Sequence, residues 1–160
     1  MDTSSETLPR SVRIGLDVGK ARIGVAASDP DGLLAMPVET VRRGPGDLAR
    51  IGQLIADRDA SWCYVGLPKH MRGGEGDSAK DAREFANRLA RQLAKSGASI
   101  GIRFIDERLT TVTATNQLSQ AGRKVNRHRA VIDQQAAVII LQSALDMERS
   151  RGERTGMPLG

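Results

Sequence analysis

Val12, Ile14, Leu16 and Val18 alternate with polar or small residues, the two-residue period of a half-buried strand. Gly19-Lys20 supplies a turn, and Arg22 to Ala27 reads as a second strand. Asp29-Pro30-Asp31-Gly32 is a strong turn signal, and Leu33 to Val41 follows as a third strand bent at Pro37. These three predict an antiparallel meander. Gly44-Pro45-Gly46 interrupts it, and Asp47 stands where a helix N-cap is expected, before the stripe Leu48, Ile51, Leu54 and Ile55. Trp62 to Leu67 is a fourth strand, closed by the glycine-rich loop Pro68 to Gly76. Asp77 or Ser78 is placed to cap a longer helix with the stripe Ala82, Phe85, Ala86, Leu89, Leu93 and Ala94, which Gly97 ends. Ile100 to Ile105 is a fifth strand. Thr110 or Thr111 opens a helix toward Gly122, a basic loop runs from Arg123 to Arg129, and Ala130 to Leu145 forms a last helix.

Two strand–helix–strand crossovers in this order require parallel pairing in part of the sheet. The expectation is an α/β fold, a mixed sheet covered by helices, in one domain over 11–149. A chain of 160 residues can bury a sizeable core. The polar stretch 1–10 and the Gly-, Arg- and Pro-containing stretch 150–160 are expected to be flexible tails.

Charge narrows the partner. A formal net charge of +5 and a pI near 10 favour a polyanion, nucleic acid above all, over a protein that is merely basic. Aromatic residues make up only 2% of the chain, so recognition through the phosphate backbone is expected rather than base stacking. Cys63 is the single cysteine, which excludes an internal disulfide framework. It sits in a strand, where a buried inert thiol is the default and an intermolecular disulfide the alternative. With no long apolar run and no signal-like start, a cytoplasmic protein without a membrane partner is expected.

Three acids stand out against this background. From Asp133, the apolar residues Ala136, Ala137, Ile140, Leu141 and Ala144 fall at the spacing of one helix face, so the carboxylate shares the inward face. Glu107 follows the apolar fifth strand. Asp17 points to the face opposite Leu16 and Val18, between Gly15 and Gly19, where missing side chains leave room for close approach. Each alone is an ordinary helix-surface, capping or turn residue. Together they lie on three elements that can meet at one edge of the sheet. Inward carboxylates are costly without a cation. Mg²⁺ or Mn²⁺ takes such oxygen ligands, and a two-metal site suits in-line phosphodiester chemistry.

The motifs that carry these acids resemble those of the YqgF/RuvX family of RNase H-like nucleases. Ile14-Gly15-Leu16-Asp17-Val18-Gly19 with Arg22-Ile23-Gly24-Val25-Ala26 is similar to its first motif. Val65-Gly66-Leu67-Pro68 with Met71-Arg72-Gly73-Gly74-Glu75-Gly76 is similar to its second. Asp106-Glu107-Arg108-Leu109-Thr110-Thr111 and the run Ile132 to Gln142 are similar to its third and fourth. The match runs from about Ser11 to Leu145. It implies a three-layer RNase H-like fold with a five-stranded sheet ordered 3-2-1-4-5, strand 2 antiparallel. It also implies Asp17, Glu107 and Asp133 as the catalytic, metal-holding set. The implied activity is metal-dependent nuclease action, either trimming the 5′ end of pre-16S ribosomal RNA or resolving Holliday junctions. The alternative is a non-catalytic nucleic-acid-binding factor in ribosome assembly or transcription. Lys69, His70 and Arg72 make the loop more basic than the family pattern.

Around the acids, Lys20, Arg22, Lys69, Arg108, Thr110, Arg123, Lys124, Arg127 and Arg129 are the candidate nucleic-acid contacts. A solvated hairpin, simple N-capping and a charged loop are their plain alternatives. His70 is a candidate proton shuttle, with an exposed loop histidine as its alternative. Asp106 is expected to face away from Glu107, and Glu75 to stay in solvent. The resemblance leaves a monomer or a homodimer open; paired cuts in a junction would need the dimer.

Overall fold

The computed structural model describes residues 9–69, 74–98, 100–110 and 126–159, the side chains of 126–131 excepted. The meander is present as β1 (Val12–Val18), β2 (Arg22–Ser28) and β3 (Ala35–Arg42). Then come α1 (Asp47–Asp57), β4 (Ala60–Leu67), α2 (Asp77–Lys95), β5 (Gly101–Asp106), a short 3-10 turn (Glu107–Leu109), α3 (Asn126–Arg151) and β6 (Met157–Pro158). The sheet order is β3-β2-β1-β4-β5-β6. β1–β2 and β2–β3 are antiparallel, and β1–β4 and β4–β5 are parallel. The expected 3-2-1-4-5 order with strand 2 antiparallel is therefore the order found, extended by one short strand.

Strand alternation sorts the side chains into two layers. Ile14, Leu16 and Val18 of β1, Ile23, Val25 and Ala27 of β2, Cys63, Val65 and Leu67 of β4, and Ile102 and Phe104 of β5 meet the buried stripes of α1 and α2. The opposite layer is smaller: Ala26, Tyr64 and Ile105 meet Ala136, Ala137, Ile140, Leu141, Ala144 and Leu145 of α3. Cys63 is fully buried, and burial pushes its thiol up to about 12, so the inert reading fits. No helix among the described residues is long and apolar enough to cross a membrane.

Three expectations need correction. α3 begins at Asn126, so 126–129 form its first turn rather than the end of a basic loop. The apolar stripe that marks the helix starts only beyond that turn, which hides its beginning. The caps are glycines: Gly46 precedes α1 and Gly76 precedes α2, while Asp47 and Asp77 are first-turn residues. Asp47 still accepts the main-chain N–H of Gly44 at 3.0 Å, closing the turn from inside the helix. The stretch after Ser150, expected as a loose tail, carries β6, where Met157 and Pro158 pair with Phe104 and Arg103. Arg103 secures it, donating to the carbonyls of Thr155 at 2.5 Å and Gly156 at 2.9 Å. The proposed helix from Thr110 or Thr111 toward Gly122 lies beyond Thr110 outside the described residues, as do residues 1–8 of the N-terminal tail.

Candidate active site

Asp17 lies on the α3 face of β1, two residues beyond Gly15, and its ladder partner on β2 is Gly24. Both glycines let α3 settle directly on the sheet. A β-carbon on Gly15 would stand 2.7 Å from Leu141 Cβ, and one on Gly24 would overlap the main-chain carbonyl of Asp133. The backbone of Asp133 thus rests on the residue paired with Asp17. From the other side, Glu107 folds back over Gly66 of β4, where a β-carbon would stand 2.7 Å from Glu107 Oε2. Three glycines on neighbouring strands clear the floor on which acids from β1, the end of β5 and α3 approach one another.

The electrostatics record that approach. Burial, and after it the charge of Asp133, pushes the Asp17 carboxyl up to about 7. Burial, then Asp17, then Asp106, pushes Glu107 up to about 8. Asp17 is thus the acid common to both effects: Asp133 raises it, and it raises Glu107. Glu107 is only 5% exposed. Among the described residues no hydrogen-bond donor meets either the Asp17 or the Glu107 carboxylate. Desolvated acids that meet no donor among the described residues favour a cation beside them. These oxygens are also the hard ligands that Mg²⁺ or Mn²⁺ takes, so the donor set fits such an ion. Among the described residues, however, no three His, Cys, Asp or Glu side chains stand ready together around a metal position. Asp133 is turned to Arg22, whose Nε donates to Oδ2 at 3.1 Å.

The other expected contacts divide. Lys20 is exposed on the β1–β2 turn. Arg22 faces the acids rather than open solvent. Lys69 is partly buried, close enough to lower the carboxyls of Glu75 and Asp106. Arg108 turns back on Asp106, with Nη2 2.5 Å from Oδ2, and Asp106 also accepts the Arg108 main-chain N–H at 2.9 Å. Asp106 is thereby occupied in shaping the turn. The Thr110 hydroxyl donates to the Glu107 carbonyl at 3.0 Å, so it braces the turn that presents Glu107. Glu75 forms a two-bond pair with Arg83 at 2.8 and 2.7 Å. His70, Arg72, Arg123 and Lys124 lie outside the described residues, as do the side chains of Arg127 and Arg129.

Sequence reasoning missed a second polar cluster on the same sheet face. Glu148, 2% exposed, is buried near the far end of α3. It accepts from Arg13 Nε at 3.2 Å and Nη2 at 2.8 Å, from Arg154 Nη1 at 3.0 Å, and from the Tyr64 hydroxyl. Arg154 also lies over the Trp62 ring, 5.0 Å from its centroid. α3 is thus clasped by charge at both ends with an apolar middle. The available signal was spacing: Glu148 continues the inward stripe three residues past Leu145.

A mixed sheet in this order, with α1 and α2 on one face and α3 on the other, is an RNase H-like α/β fold of the RuvC kind. A solved structure titled T. thermophilus RuvC in complex with Holliday junction substrate shares the fold, with a TM-score of 0.58 and 14% identity over 92% of this chain and 99% of that one. The family model "RuvX: Holliday junction resolvase" matches residues 11–147, and the chain belongs to the RuvX family. It is 53% identical to a protein of Nocardioides sp. over 91% of this chain and 94% of that one. It is 50% identical to one of Thermobifida fusca over 93% of each. Both relatives carry the name "Putative pre-16S rRNA nuclease".

Proposed function

We propose that this protein is a divalent-metal-dependent endonuclease acting on structured nucleic acid, with the 5′ region of pre-16S ribosomal RNA as its substrate. The observation that supports the reading is the approach of Asp133 to Gly24, the ladder partner of Asp17, and of the Glu107 carboxylate to Gly66, with the Asp17 and Glu107 carboxyls both raised. A pure binding factor would gain nothing from placing repelling carboxylates where a phosphate must approach. The substrate assignment rests on the relatives' shared name.

In this reading Asp17, Glu107 and Asp133 would hold the metal. Bound Mg²⁺ or Mn²⁺ would supply activation of water and neutralisation of the departing oxygen. The chain's own part is positional. The glycines let the Asp133 backbone and the Glu107 side chain come down onto the strands beside Asp17, Thr110 braces the Glu107 turn, and Arg22 offers a planar donor to phosphate. Hydrolysis forms a bond from water oxygen to phosphorus and breaks the bond to the 3′ oxygen, leaving 5′-phosphate and 3′-hydroxyl ends.

The test is side-by-side incubation of a pre-16S leader RNA and a four-way DNA junction with Mg²⁺ or Mn²⁺, with end-group analysis of the products. Metal-dependent cleavage of the RNA that Asp17→Asn loses supports the proposal. Cleavage of the junction alone would move the substrate to branched DNA. Binding of both without turnover in either metal would favour the non-catalytic factor.

A further inference from the structure

Arg22 is held where it has two possible partners. Its main-chain oxygen accepts the Gly19 N–H at 2.8 Å, closing the β1–β2 turn, so its backbone is anchored. Its guanidinium reaches Asp133 through Nε alone. Among the described residues the two Nη groups donate to nothing, so the forked end that matches phosphate oxygens is open. The pair is partly exposed, 26% at Arg22 and 20% at Asp133, so a ligand can reach it. A cation entering at Asp17 and Asp133 would meet the guanidinium's like charge and compete for Oδ2.

We propose that Arg22 is an exchange residue. Without substrate it occupies Asp133; an arriving phosphodiester draws the guanidinium onto its own oxygens and releases Asp133 to the metal. Metal and nucleic acid then displace the same ion pair, and each strengthens the other's binding by one common factor. The inference rests on Asp133 as a metal ligand. It assigns Arg22 the coupling of the two ligands, beyond simple phosphate contact.

The test is Mn²⁺ binding to the full chain by isothermal titration calorimetry, without nucleic acid. The variants are Arg22→Gln, Arg22→Lys, Arg42→Gln and Asp133→Asn. Arg42 is the direct ladder partner of Arg22 and is exposed, so its loss removes an equal charge from the same place and leaves the Asp133 pair intact. Arg22→Gln is expected to tighten Mn²⁺ binding about fivefold, with Arg22→Lys near wild type and Arg42→Gln changing it less than about twofold. If Arg22→Gln does not fold, Arg22→Met, which keeps the apolar stem, carries the same expectation. A second readout is the anisotropy of a labelled single-stranded DNA with and without Ca²⁺, strand integrity being checked on a gel. The gain in affinity from Ca²⁺ is expected in wild type and largely absent in the Arg22 variant. An Arg22 variant that binds Mn²⁺ as wild type does, or only as Arg42→Gln does, overturns the exchange. If Asp133→Asn also keeps full Mn²⁺ affinity, the site reading itself has failed; if that variant loses it, only the exchange has.

Discussion

Gly24 lies beneath Asp133: a β-carbon on the glycine would occupy the space of the Asp133 main-chain oxygen, and Asp17 is the residue paired with that glycine. The approach of helix to sheet at this point sets how near the acids of β1 and α3 can come. Gly24→Ala must therefore lift α3 or bend β2. It is expected to cost about 1–3 kcal/mol in urea unfolding and to reduce cleavage further than the loss of folded protein explains. Gly52→Ala is the control. It sits inside α1, and its nearest foreign atom is Leu93 Cδ2 at 3.9 Å, so it is expected to stabilise by about 0.5–1 kcal/mol. Equal behaviour of the two variants would refute the close approach.

Neutralising the acids is expected to separate stability from activity. Asp17→Asn and Glu107→Gln remove desolvated charges that no donor among the described residues meets, so the chain in chelator should gain about 1 kcal/mol. Cleavage should fall by about a hundredfold or more. Thermal unfolding in EDTA beside a cleavage assay in Mn²⁺ reads both. A variant that is less stable and equally active contradicts the assignment.

The same burial predicts a pH dependence. Asp17 is raised from 3.8 to about 7 and Glu107 from 4.5 to about 8. Between those limits the folded chain keeps protons that the unfolded chain has lost, so folding stability falls as pH rises. Their contribution is fully present below about pH 4 and is lost by about pH 8. Urea midpoints in chelator at pH 5, 6, 7 and 8 should decline in wild type and decline less in Asp17→Asn. Saturating Mn²⁺ should reverse the trend, because it favours the charged carboxylates. A wild-type profile with no decline would contradict the raised carboxyls of Asp17 and Glu107.

The Glu148 cluster is structural in this account. Glu148→Ala leaves Arg13, itself 3% exposed, with a buried charge and no carboxylate. The expected cost is about 3–5 kcal/mol in urea unfolding. Cleavage per folded molecule, measured well below the melting temperature, should stay near wild type, since Glu148 touches none of the three acids. Loss of activity at full folding would place the cluster in the mechanism.

Strand parity and helix spacing made the placement of two acids legible. Leu16 and Val18 pack against α1 and α2, so Asp17 had to point the other way, and the spacing from Asp133 to Ala144 put that acid on the buried face of α3. Parity and spacing read one element at a time, and what they missed depends on two. Nothing local to Arg22 tells that its guanidinium will bridge to Asp133, 111 positions later. β6 is two residues long and is held by main-chain pairing and Arg103, which leaves no periodic pattern. The glycine caps of α1 and α2 left Asp47 and Asp77 in the first turn, where a carboxylate favours the helix N-terminus and that of Asp47 accepts the Leu48 N–H.

The most direct test of the central claim is anomalous diffraction from crystals of the protein grown or soaked with Mn²⁺. The account predicts a manganese peak within about 2.3 Å of an Asp17 oxygen, shared with Glu107, Asp133 or both. Manganese bound elsewhere, with Asp17 making no contact to it in a chain that still cleaves RNA, would contradict the account.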